Sequence, residues 1–60
     1  MVDLYFGKLF DYSYGFGFKM VFLHESRNGE LVFGTSSGGR VLLSRKEFDE
    51  KCKLNLIKEI

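Results

Sequence analysis

Sixty residues with 45% hydrophobic content, 7 Phe, 3 Tyr and a net charge of +1 bound the chain to one domain, read as globular rather than disordered, and leave no charge excess to condense on phosphate or an anionic membrane. One cysteine and one histidine supply neither a disulfide nor a metal-ligand set, so no cofactor is expected. Burial worth on the order of 85 kcal/mol is set against roughly 90 kcal/mol of ordering entropy, so a lone monomer is marginal and self-association is expected.

In chain order, Val2 to Phe10 carries the aromatics and β-formers of a first strand, with a bend over Asp11-Tyr12-Ser13. From Phe16 to His24 the alternation puts Phe16, Phe18, Met20, Phe22 and His24 on one face and Lys19, Val21 and Leu23 on the other, which predicts the central strand. Ser26-Arg27-Asn28-Gly29 then predicts a tight primed turn into a strand over Glu30 to Thr35. Ser36-Ser37-Gly38-Gly39 reads as a loop tip.

The sharpest local signal follows. Ser44 and Glu47 have the spacing of a capping box, and Leu43 and Phe48 that of a hydrophobic staple. These predict a two-turn helix from Ser44 to about Lys51, followed by a last strand, Cys52 to Lys58, on the alternation of Leu54-Asn55-Leu56. The expected fold is α+β: a small antiparallel sheet of three to four strands with one short helix, in the order β-β-β-α-β.

Little here points to catalysis. His24 has no second partner group in its neighbourhood of the sequence and reads as a surface or interface histidine. Gly15-Phe16-Gly17 precedes a strand rather than a helix, so it does not cradle phosphate. The longest pure apolar run is Met20 to Leu23, which points to neither export nor membrane spanning, and unpaired Cys52 fits a reducing cytoplasm.

Two resemblances sharpen the reading. Leu4-Tyr5-Phe6-Gly7-Lys8-Leu9 and Tyr14-Gly15-Phe16-Gly17-Phe18 resemble the aromatic signatures of RNA-recognition motifs and cold-shock domains. That resemblance implies a barrel that binds single strands, with Tyr5, Tyr14, Phe16 and Phe18 stacking on bases and Lys8 and Lys19 on phosphate.

The second covers more of the chain. From Met20 onward, the strand, the polar turn with Gly29, the second strand, Leu43-Ser44-x-x-Glu47-Phe48-Asp49 and Lys53-Leu54-x-Leu56-x-Lys58 resemble the small uracil-DNA glycosylase inhibitors of certain Bacillus phages. The resemblance implies a non-enzymatic homodimer that occupies the DNA-binding groove of a host DNA-repair glycosylase in the bacterial cytoplasm, binding the protein and no nucleic acid directly. Phe48 matches the aromatic of the family's apolar pocket and Asp49 the acidic residue beside it, while Cys52 stands where the family has a second pocket tyrosine. Glu47 and Glu50 complete the acidic cluster on the same helix, so the expected partner-binding residues are Phe48, Asp49, Glu47, Glu50 and Cys52.

Overall fold

A computed structural model describes residues 3–13 and 17–60. Among them the order is β1 (Leu9–Tyr12), β2 (Phe18–Glu25), β3 (Glu30–Thr35), β4 (Arg40–Ser44), α1 (Arg45–Lys53) and β5 (Ile57–Glu59). The strands form one antiparallel sheet, β4-β3-β2-β1-β5, with α1 against one face. The fold is therefore α+β with a small antiparallel sheet and one short helix. Its sheet has five strands because Arg40–Ser44 pairs along its full length with β3, placing Val41 opposite Phe33 and Leu43 opposite Leu31.

The first strand also lies later than its composition suggests. Val2 falls outside the described residues, and the ladder runs through the expected bend: Tyr12 pairs with Phe18 on one side and Ile57 on the other. Burial of Tyr12 in the core, alongside Phe10 two residues earlier, overrides the turn preference of its neighbours.

β2 is central as expected, with Phe16 outside the described residues. Its alternation breaks near Leu23, where the register against β3 shifts between Phe22 and His24. This irregularity pairs His24 with Val32, on the face away from α1, instead of continuing the Phe22 face.

Both described hairpin loops share one device. Gly29 N–H donates to Ser26 O at 3.0 Å and Ser26 N–H to Glu30 O at 2.8 Å; Gly38 N–H donates to Thr35 O at 3.0 Å and Thr35 N–H to Gly39 O at 3.1 Å. Only the fourth residue of each turn has positive φ, +82° at Gly29 and +88° at Gly38. Each is thus an ordinary turn closed by a left-handed glycine; at Ser26 to Gly29 this replaces the expected primed turn, which would require positive φ at Asn28 as well. The hydroxyls of Ser26 and Thr35 each accept from the amide four residues on, that of Glu30 at the start of β3 and that of Gly39 just before β4.

The capping box forms as the spacing predicts. Ser44 Oγ accepts from Glu47 N–H at 3.1 Å, and Glu47 Oε1 accepts from Ser44 N–H at 3.0 Å. The far end differs from expectation. The helix runs through Cys52 to Lys53, and the last strand starts only at Ile57. Leu56 N–H donates back to Lys51 O at 2.9 Å and Asn55 N–H to Cys52 O at 3.1 Å, with Asn55 at φ 62°. This is a Schellman stop, which turns Leu54-Asn55-Leu56 into a helix terminus rather than an alternating strand.

The core lies between α1 and the sheet. Phe10, Phe33 and Phe48 are each fully buried. Phe10 meets Phe33 and Phe48 edge-on, at centroid distances of 5.8 and 5.5 Å, and Leu43 of the predicted staple joins the same cluster. No helix among the described residues is long and apolar enough to cross a membrane.

Candidate functional site

α1 divides the five expected partner-binding residues into two groups. Phe48 and Cys52, one turn apart, face the sheet: Phe48 is fully buried and Cys52 packs against the core from a half-buried position. Glu47 and Glu50 are exposed, and half-buried Asp49 lies along the flank. Sequence spacing puts Glu47, Phe48, Asp49 and Glu50 on the helix and Cys52 in the strand beyond it, whereas the helix runs on through Cys52; a two-layer fold with a single helix spends its apolar stripe on its own sheet. In the single chain, Phe48 is a core aromatic rather than the lining of an open pocket.

The electrostatics of the outer helix face are local. Glu47 is held by the cap: its hydrogen bond to the Ser44 backbone N–H lowers the carboxyl below its ordinary range, with the Ser44 side chain and the Lys51 charge acting in the same direction. Asp49 Oδ1 sits 3.9 Å from Arg45 Nε, an i,i+4 pair. Four basic residues, Arg45, Lys46, Lys51 and Lys53, accompany the three acids on the helix. Burial pushes the Cys52 thiol up, reinforced by the charges of Asp49 and Glu59, so it stays protonated near neutrality and is a poor nucleophile.

The described residues of the nucleic-acid reading each have other contacts within the chain. Tyr14 and Phe16 lie outside the described residues. Phe18 is half-buried, with its ring 5.2 Å from that of Tyr12 on the α1 side of the sheet. Lys19 lies 3.8 Å from Asp11. The Lys8 ammonium is bonded to Glu59, which raises its pKa, and lies 5.3 Å from the ring centroid of exposed Tyr5. The described sheet has two edges, β4 and β5, joined by no ladder between them.

One feature escaped the sequence reading. Leu9 pairs with Val21 and Val32 with Leu42 on the face away from α1, and Leu23 covers Gly34 there, its Cδ1 3.3 Å from the position a Cβ would take. Ile60 N–H donates to Leu9 O, bringing the last residue alongside. Leu9, Leu42 and Ile60 are substantially exposed. The alternation of β1 and β4 carried this signal, but without the strand order it could not be joined into one face.

Comparison with protein-family models, curated proteins and solved structures returns no match to this chain.

Proposed function

We propose that this chain is a non-catalytic protein-binding domain that inhibits a DNA-repair glycosylase stoichiometrically, without a cofactor, by occupying its DNA-binding groove. The observation that supports the reading is the capped helix: Ser44 and Glu47 open α1 directly after a strand, and Ile57–Glu59 returns to the sheet after it, as the inhibitor resemblance implies, although β4 adds a strand and residues 53–56 of the family's last-strand motif close the helix instead. Within this reading Phe48 holds α1 on the sheet, and the contact falls to the carboxylates that face outward, Glu47, Glu50 and Asp49.

A chain of net charge +1 generates no long-range attraction toward a phosphate-binding groove, so the carboxylates act at short range. Association then proceeds at the unsteered rate of about 10⁵–10⁶ M⁻¹s⁻¹ and depends weakly on salt.

The test is uracil excision from a labelled duplex by a bacterial uracil-DNA glycosylase. The proposal expects excision to fall to background near molar equivalence. Excision left untouched at large excess rejects it.

A further inference from the structure

The two edges of the sheet are treated differently. β5 has three residues, carries Lys58 and Glu59, and is tied to the chain before β1 by the Lys8–Glu59 ion pair. Short length and charge are the ordinary means of blunting an edge. β4 has five residues, an unbroken register against β3, no proline and a single charge, Arg40.

The direction of the β4 backbone groups follows from two independent contacts. Thr35 N–H donates to Gly39 O, so by the alternation of an antiparallel ladder residues 39, 41 and 43 turn their backbone groups toward β3. Residues 40, 42 and 44 turn theirs outward. Ser44 agrees, since its N–H is given to Glu47 Oε1 and not to β3. Arg40 and Leu42 therefore present outward N–H and C=O groups, and the Leu42 side chain between them is 56% exposed.

We propose that β4 pairs antiparallel with β4 of a second copy of this chain, in a register centred on Val41. This register places Arg40 opposite Leu42 of the second copy, and Leu42 opposite its Arg40, making four backbone hydrogen bonds from groups that all point outward. A register centred on Leu42 would need the Ser44 N–H, which Glu47 already holds. On the α1 side half-buried Val41 meets its own copy; on the other side the aliphatic stem of Arg40 covers Leu42. Neither position sets like charges directly opposite one another. The contact is isologous and closes as a two-fold dimer, so it does not propagate into a fibre. Two five-residue edges form a small interface, so the dimer is a weak one that forms toward the upper end of protein concentration. This assembly does not rest on the glycosylase reading.

Sedimentation equilibrium from micromolar to millimolar concentration tests it, with Leu42→Lys and Leu42→Glu as paired variants and circular dichroism as the check on folding. The wild type is expected to move from 7.0 kDa toward twice that mass. Because residue 42 faces Arg40 of the second copy, lysine weakens and glutamate strengthens the dimer, leaving the two variants about tenfold or more apart in Kd. Residue 42 is exposed, so both variants keep the fold. Hydrogen exchange at the Arg40 and Leu42 amides is expected to slow as the dimer forms. A wild type monomeric throughout, variants that associate equally or in the reverse order, or dimerisation without protection of these two amides overturns the proposal.

Discussion

Phe48 of α1 stacks on Phe33 of β3, with ring planes 20° apart and centroids at 5.6 Å. Among the described ring pairs this is the near-parallel one, set against the edge-on contacts of Phe10 with Phe33 and Phe48 and of Phe22 with Phe33, and it fixes the helix on the sheet. Both rings are fully buried. Phe48→Ala is expected to cost about 3–5 kcal/mol, enough to unfold a domain of this size. Urea denaturation followed by circular dichroism measures it, and a loss below about 1 kcal/mol would contradict the core assignment.

Leu23 and Gly34 form a second dependent pair. A Cβ at Gly34 falls 3.3 Å from Leu23 Cδ1, closer than ordinary contact. Gly34→Ala is expected to destabilise the wild type modestly and to stabilise a Leu23→Ala background, where the crowding is gone. A double-mutant cycle by chemical denaturation reads the coupling, expected at about 0.5–1 kcal/mol. Additive effects would show that Leu23 does not cover the glycine.

At the start of α1, Ser44→Ala is expected to cost about 1 kcal/mol. Glu47 adds a pH dependence of defined sign. Its carboxyl is held below the reference value of 4.5 by the Ser44 amide, so its contribution is fully present above that value and is lost as pH falls through the lowered folded pKa. Glu47→Gln should flatten this part of the acid limb in thermal melts from pH 7 to 2. An unchanged pH profile would contradict the cap's electrostatic role.

At its other end, Asn55 holds φ 62°. Asn55→Gly is expected to stabilise by a few tenths of a kcal/mol and Asn55→Ala to destabilise by about 1 kcal/mol. Thermal melts of the two variants check this, and equal stability would contradict the Schellman geometry.

Much of this architecture was legible because its signals are local. Ser44 and Glu47 announce the helix by spacing alone, and Gly29 marks its hairpin whichever turn type it adopts. The parts that were not legible depend on contacts distant in sequence. Asp11-Tyr12-Ser13 has the composition of a bend, yet Tyr12 is strand because Phe18 and Ile57 flank it. Leu54 and Leu56 alternate like strand residues, yet the preceding helix ends through Asn55 and Leu56. Among the candidate site residues, spacing placed Phe48 and the acids on one helix correctly. It could not say that the helix would turn Phe48 inward and leave Glu47 and Glu50 outside.

That separation predicts different behaviour for the acids in target binding. Glu50 is exposed, whereas Asp49 is paired with Arg45. Glu50→Lys is therefore the cleaner probe: it should leave the thermal melt unchanged and weaken inhibition about tenfold or more by setting a cation against a phosphate-binding groove. Inhibition equal to wild type would remove the outer helix face from the contact.

The most direct measurement is calorimetric titration of the chain into a bacterial uracil-DNA glycosylase, alone and saturated with a non-cleavable uracil-containing duplex. Groove occupancy predicts saturable binding to the free enzyme at a fixed stoichiometry and none to the DNA-bound enzyme. No binding heat at any temperature tried, or equal binding to both forms, would contradict it.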